Sequence, residues 1–541
     1  MTVVLAAINA KYIHSALGVY CLYAYLSPEE KRHVKVMEFT INQAEDFIVS
    51  EILRASPDVL AFSCYIWNIE LVKSLVETFK KVLPDVPIML GGPEVFCDTA
   101  EELGVDIVVQ GEGEEVFREF VRECMNDTNK KKRLTHQVHN GAAVPLDTIP
   151  LPYENFDSLQ NRIVYYESSR GCVNSCGFCL SSATTGVRFL PMERVKSDLD
   201  KFLAAGVKQV KFVDRTFNCY KPHALEIWRY LIEHDNGTTN FHFEIAGEQL
   251  DDEMLEVLGQ ARNGLFQFEM GVQSTNPQTL QMIRRKTDTA KIFGNVAKLK
   301  ENKNIHLHLD LIVGLPGENF ASFANSFNDV FACRPHKVQV GFLKLLKGSY
   351  LRTNAEKYGI VYKKHAPYNV LQTHDITFRE INLLHKFEHM VEIFYNGTGF
   401  SATVEFLLQN SPSPFELFHQ LALRWEEEGY HLVSHKKMVL YAFLYDFASH
   451  LQCAIPVREL LKYDMLCWEN IRTFPPWIDE YYQPDNLKIT RTTAIHTFEY
   501  DIHSYEKRQY ALEFDYSQPP AERSRPHAIT NDPPKRCQPT N

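Results

Sequence analysis

The first 125 residues alternate short apolar and β-branched runs with segments whose apolar positions recur every three or four residues. The runs TVVLAAI, HVKVMEF, DVLAFSCY, PIMLGG and DIVVQG predict five strands, and LGVYCLYAYL, AEDFIVSEILRAS and IELVKSLVETFKKVL predict intervening helices. Such alternation implies crossover connections, so residues 1–125 read as a Rossmann-like, doubly wound parallel sheet in an α/β protein. Residues 126–160 turn polar and then proline-bearing, which predicts a linker, with NKKKR at 129–133 as a solvated loop. From 161 the alternation resumes. RIVYYES, QVKFVDR, FHFEIAG, FQFEMGVQS, HLHLDLIVGLP and KVQVGFLKLL, with helical segments between them, predict a full or partial TIM-like β/α barrel over residues 161–365.

Beyond residue 366 the period becomes helical. Thr377 with Glu380, and Ser413 with Pro414 and Glu416, are helix-start signals, and Gly397 and Gly429 are stops. Residues 366–515 therefore predict a mainly helical domain. The proline-rich, polar residues 516–541 predict a disordered tail.

In an open α/β sheet, ligands bind beyond the carboxyl ends of the strands. Ser63 stands near the end of the third predicted strand, Gly91, Gly92 and Pro93 follow the fourth, and Gly111, Glu112 and Gly113 follow the fifth. Any one of these glycines reads most simply as a tight turn. Their recurrence at three neighbouring strand ends favours a binding face.

Composition narrows the classes. With 45% hydrophobic and 23% charged residues the chain is of ordinary globular type, and a net charge of −11 argues against a nucleic-acid partner. No apolar run reaches membrane-spanning length and the opening residues lack a signal peptide's pattern, so the expectation is a cytoplasmic protein without a membrane partner.

Nine of the twelve cysteines are scattered singly, but Cys172, Cys176 and Cys179 form a Cys-x3-Cys-x2-Cys cluster directly after the first predicted barrel strand. Structural zinc usually takes four protein ligands, and no second pair follows at finger-like distance. A helical stripe conflicts with Gly171, Asn174, Ser175 and Gly177. A cubic iron–sulfur cluster held by three thiolates would leave one iron open for chemistry. Gln273 and Ser274, at a strand end, read equally as ligand contacts or as strand-end caps. Glu244 and Asp310 are charges within strands that need either a ligand or an ion pair. Glu318 reads as a cap for the following helix, and His14 as a loop histidine contacting backbone.

With Phe178 before its last cysteine, this motif resembles the radical S-adenosylmethionine (SAM) superfamily. FVDRTF, EMGVQS, RRKT and LIVGLPGE follow in that superfamily's order over about residues 161–350. LGGPEV, VVQGEGEEVF and IPLPYENFD are similar to its cobalamin-binding branch, and the helical region resembles an uncharacterised C-terminal domain of one bacterial group. The resemblance implies Cys172, Cys176 and Cys179 as ligands of a [4Fe–4S] cluster, which cleaves SAM to a 5′-deoxyadenosyl radical. It implies Phe178, Glu244, Gln273, Ser274 and Asp310 near SAM, with Ser63, Gly91, Gly92, Pro93, Gly111, Glu112 and Gly113 near cobalamin. The sequence departs from the pattern at Ala246-Gly247, where many members carry arginine, and lacks the Asp-x-His-x-x-Gly cobalt-ligand signature. The implied activity is methyl transfer to an unactivated carbon of a small molecule or peptide, with flavodoxin or ferredoxin as electron donor. Two alternatives stay open: a radical SAM enzyme without cobalamin, performing cyclisation, oxidation or sulfur chemistry, and a redox sensor or binding protein with a structural cluster.

Overall fold

The computed structural model describes residues 1–126, 137–183, 186–451, 454–469, 471, 474–479 and 492–527. NKKKR at 129–133 and residues 528–541 lie outside them. The chain divides into two compact units, Met1–Phe378 and Arg379–Asn541.

Among the described residues the first sheet has six strands: β1 (Val3–Asn9), β2 (Val34–Thr40), β3 (Val59–Ser63), β4 (Ile88–Gly91), β5 (Ile107–Gly111) and β6 (Gln137–Gly141). Their order is β2-β1-β3-β4-β5-β6 and every pairing is parallel. β1 is buried throughout because helices cover both faces of a parallel sheet. The order reverses between β1 and β3, which puts the ligand crevice at the carboxyl ends of those two strands. The linker expectation for 126–160 is corrected at β6. Its sequence, QVHNG, carries one apolar residue, and pairing to β5 rather than burial makes it a strand.

Eight more strands follow in the first unit's second half: β7 (Val164–Tyr166), β8 (Ser169–Gly171), β9 (Val187–Phe189), β10 (Gln209–Phe212), β11 (Asn240–Glu244), β12 (Phe266–Gln273), β13 (His306–Val313) and β14 (Lys337–Phe342). Six of them form a parallel sheet in the order β14-β13-β12-β11-β10-β7, an open partial barrel, while β8 and β9 pair as an antiparallel hairpin. β12 shows how the barrel is lined. Phe266, Phe268, Met270 and Val272 are fully buried, whereas Gln267, Glu269, Gly271 and Gln273, on the other face, are only partly so. The alternation leaves a polar face on the strands.

The first unit continues past the expected boundary at 365. The Tyr368 hydroxyl donates to Glu94 at 2.9 Å, Val370 N to Leu343 O at 2.9 Å, and Val370–Gln372 pairs with Val361–Tyr362.

The second unit is mainly helical, with helices over Phe378–Val391, Ser401–Gln409, Pro414–Glu427, Lys437–His450 and Ala454–Trp468, the first beginning at the last residue of the first unit. Ser413 caps as expected, accepting from Glu416 N at 3.1 Å, and Gly429 adopts the left-handed conformation that ends a helix. The unit also holds an antiparallel sheet of Thr493–Tyr500, Lys507–Asp515 and Ser524–His527. The last strand corrects the tail expectation for residues 524–527, which are ordered by pairing to 511–514. No helix among the described residues is long and apolar enough to cross a membrane.

Candidate functional site

The cysteine segment is carried by the β8–β9 hairpin. Gly171, at φ +112°, connects β8 to Cys172, and a Cβ there would stand 2.2 Å from the Gly186 carbonyl oxygen, so only glycine closes this hairpin. Asp214, after β10, fixes the hairpin's base by accepting from Ser168 N at 3.1 Å and from the Ser168 and Ser169 hydroxyls at 2.6 and 2.5 Å. Burial pushes the Asp214 carboxyl up to about 6.

Within the segment, Gly177 N donates to Ile283 O at 2.7 Å and Gly177 O accepts from Leu351 N at 2.8 Å. Half-buried Phe178 follows directly. None of the three cysteines is in a disulfide. Asn174 N lies 3.4 Å from the Cys172 Sγ and the Thr216 hydroxyl 3.7 Å from it. Arg285 donates through Nη1 to the Cys176 Sγ at 3.5 Å and through Nη2 to the Gly271 carbonyl. Burial raises the Cys176 thiol's pKa, and Arg285 works against that rise. Among the described residues no three His, Cys, Asp or Glu side chains could hold a single metal ion. A cubic cluster does not require such convergence, because each thiolate binds a different iron. Three cysteines outside any disulfide on one braced loop, with N–H donors aimed at two of the sulfurs, therefore fit the cluster.

The polar strand face holds the other charges. Lys211 Nζ lies 3.1 Å from Glu269 Oε2 and 3.7 Å from Glu244 Oε1, and His242 Nε2 lies 3.1 Å from the same Glu269 oxygen. Burial would raise Glu269, but His242 and Lys211 outweigh it and hold the carboxyl at about 2. Burial raises Glu244, and it raises Asp310 further with the nearby charges of Glu269 and Glu244 added. Asp310 Oδ1 is buried without a hydrogen-bond partner among the described residues. Glu244 and Asp310 are thus carboxyl groups held towards their protonated, donating form.

Gln273 and Ser274 separate. A bulge in the β12–β13 pairing falls between Gly271 and Gln273, and Gln273 takes φ +69°, folding its amide over Gly271, where a Cβ would meet Nε2 at 2.0 Å. Ser274 is fully buried, and its hydroxyl donates to Glu318 at 2.6 Å. Glu318 is not the helix cap: Asn319 takes that role, accepting from Ser322 N at 2.9 Å. Glu318 instead turns inward to Ser274 and Ser326, and burial pushes it up to about 7.

At the carboxyl edge of the first sheet, the glycines have local causes. A Cβ on Gly92 (φ +109°) would meet the Cys64 carbonyl oxygen at 2.5 Å, one on Gly111 (φ +82°) the Gly141 oxygen at 2.8 Å, and one on Gly113 the Leu22 side chain at 3.2 Å. Gly91 is in ordinary contact with Val109, Pro93 is exposed, and Ser63 closes β3 with its carbonyl accepting from Asn68. The crevice between β1 and β3 carries exposed aromatic surface suited to a large flat ligand: Tyr12 is 72% exposed, and Trp67, 42% exposed, stacks on Tyr65 at 4.4 Å. His14, after β1, does not rest on backbone through its ring; its Nδ1 lies 2.7 Å from the Tyr165 hydroxyl on β7. The first sheet's carboxyl edge therefore meets the barrel directly.

Sequence reading missed Lys211, Glu269, His242, Arg285 and Arg170. Lys211 and Glu269, charges inside strand runs, carried the same signal that singled out Glu244 and Asp310.

Residues 3–121 match the B12 binding domain, 166–330 the Radical SAM superfamily, and 356–493 a protein of unknown function (DUF4080). The chain is 26% identical over 322 residues to 2-(S-pantetheinyl)-carbapenam-3-carboxylate methyltransferase of Streptantibioticus cattleyicolor, covering 52% of this chain and 46% of that protein. It is 27% identical over 341 residues to the cobalamin-dependent radical SAM methyltransferase TokK of Streptomyces tokunonensis, covering 56% and 50%. The chain thus spans about half the length of these curated relatives. In fold it is similar to the radical SAM methyltransferase TsrM from Kitasatospora setae, solved with cobalamin and a [4Fe–4S] cluster, at a TM-score of 0.54 and 15% identity over 68% of this chain and 76% of that one. The paired domains bring a [4Fe–4S] cluster, SAM and cobalamin as cofactors. The chain thus carries a B12 binding domain followed by a Radical SAM domain and is homologous to cobalamin-dependent radical SAM methyltransferases.

Proposed function

We propose that the protein methylates an unactivated carbon of a small-molecule substrate in the cytoplasm, with flavodoxin or ferredoxin as electron donor. The observation that carries this reading is the meeting of two ligand-binding edges in one compact unit. His14 of the first sheet's ligand edge reaches Tyr165 of β7, and Arg170 of the cysteine hairpin pairs with Glu112 after β5 at 2.9 Å. A methyl carrier and a hydrogen-abstracting centre must address the same substrate carbon, and this arrangement supports that. The relatives support a small molecule: one is named for methylating a pantetheinyl carbapenam, and TsrM has been solved with tryptophan as substrate.

When bound, the cofactors supply one-electron cleavage of a sulfonium bond and a carrier for a methyl group. Cys172, Cys176 and Cys179 would hold the cluster, with Arg285 stabilising the Cys176 thiolate. Lys211 and His242 keep Glu269 ionised as a fixed acceptor. Asp310 and Glu244, raised by burial, offer donors on the same face, so this face can orient a substrate bearing both hydrogen-bond donors and acceptors. The Gln273 amide, held by the bulge, sits beside Arg285 at the cluster end of this face.

Anaerobic protein reconstituted with iron, sulfide and hydroxocobalamin, then reduced with SAM present, is expected to form both 5′-deoxyadenosine and S-adenosylhomocysteine. A Cys176→Ala variant should lose the deoxyadenosine. Deoxyadenosine without S-adenosylhomocysteine, in cobalamin-loaded protein, would refute methyl transfer.

A further inference from the structure

We infer that Arg170 is a positioning residue that couples the cysteine loop to the cobalamin edge, so that filling either site tightens the other. Arg170 stands two residues before Cys172, on β8. Its guanidinium pairs with Glu112 at 2.9 Å, Glu114 at 3.0 Å and Glu167 at 2.8 Å. Glu112 lies between Gly111 and Gly113 after β5, and Glu114, only 4% exposed, opens the helix that follows. Across the hairpin, Arg188 is the register partner of Arg170 and places a second guanidinium on Glu112. Two cations of one hairpin thus grip the loop that ends β5.

The grip is transmitted to the cysteines because the link is stiff. Gly171 leaves no room for a side chain against Gly186, so the direction of β8 fixes where Cys172 begins. A guanidinium serving three carboxylates has directional bonds that a point charge lacks, and its position sets all three partners at once. Ordering the cysteine segment around a cluster fixes Arg170 and with it Glu112. Cobalamin then meets a loop whose ordering cost is already met. Linkage requires the effect to run equally in the other direction.

This inference rests on the two cofactors and not on the methyl-transfer reading, and its test needs no substrate. The dissociation constant of hydroxocobalamin would be measured by absorbance titration of the full chain, with and without its reconstituted cluster. In the wild type, affinity should rise by about fivefold or more when the cluster is present, the lower end of ordinary coupling between sites. In Arg170→Gln the two constants should agree within about twofold. Should Arg170→Gln not fold, Arg170→Lys, which keeps the charge but not the fork, should still lose most of the coupling. Equal coupling in wild type and variant would overturn the inference, since Arg170 would then be only a tie between two sheets. An unchanged constant in wild type, or no cobalamin binding at all, would overturn it as well, and the second result would take the cofactor assignment with it.

Discussion

Glu318 gives the most direct quantitative test of how this structure handles buried charge. Its side chain is 1% exposed; Oε1 accepts from Ser274 at 2.6 Å and Ser326 at 2.9 Å, and Oε2 has no partner among the described residues. Burial with one idle oxygen favours the protonated form, and the carboxyl is pushed from 4.5 up to about 7. Because the folded value is the higher one, the stabilisation is complete below about 4.5 and is lost as pH rises through about 7. At 1.36 kcal/mol per pKa unit, the loss accumulated between about pH 5 and pH 8 comes to about 2.5 kcal/mol. Glu318→Gln keeps the accepting oxygen and removes the titration. Its new amide N–H groups go unpaired at a cost of about 1–3 kcal/mol, but that cost does not change with pH. The difference in unfolding free energy between variant and wild type should therefore move by about 2.5 kcal/mol in the variant's favour from about pH 5 to pH 8. Urea titrations read by mass spectrometry on peptides from β12 and β13 would confine the measurement to the unit that holds Glu318. A difference that stays constant within about 0.5 kcal/mol across this range would refute the reasoning.

Lys211→Met should destabilise the first unit by about 3 kcal/mol or more, because it strands Glu269 beside Glu244 and Asp310; adding Glu269→Gln should recover part of the loss in the same denaturation assay. Arg285→Met should lower the reduction potential of the reconstituted cluster, followed by electron paramagnetic resonance during a redox titration, because a hydrogen bond and a positive charge leave the Cys176 sulfur. Asn319→Ala should cost about 1 kcal/mol of stability, the ordinary value of a helix cap, without altering the pH dependence assigned to Glu318.

The alternation of apolar runs and helical periods carried the fold class, because a parallel sheet covered on both faces writes its strands as near-continuous apolar stretches. β6 left no such trace: QVHNG sits at a sheet edge, where the partner strand's hydrogen bonds decide the conformation. The sheet of 493–527 did leave one. TAIHTFEY alternates buried Ala494, His496 and Phe498 with less buried neighbours, a period of two that the helical periods before it overshadow.

The cysteine motif was local and could be read from spacing alone, whereas its support could not. Asp214, Arg285 and Arg170 reach the cysteine segment from points near or far in the chain, and only the packing of hairpin, barrel and first sheet brings them together. Gln273 and Ser274 are adjacent in sequence and were read alike; a bulge and a positive φ send one over Gly271 and bury the other against Glu318. By itself the sequence determined the order of its elements and the thiols at one strand end, since both depend on residues a few positions apart. Which charges share a face, which carboxyls are pressed to keep their protons, and which loop Arg170 grips were decided by the tertiary structure, because Coulomb energy and desolvation depend on distance and burial in space and not on separation along the chain.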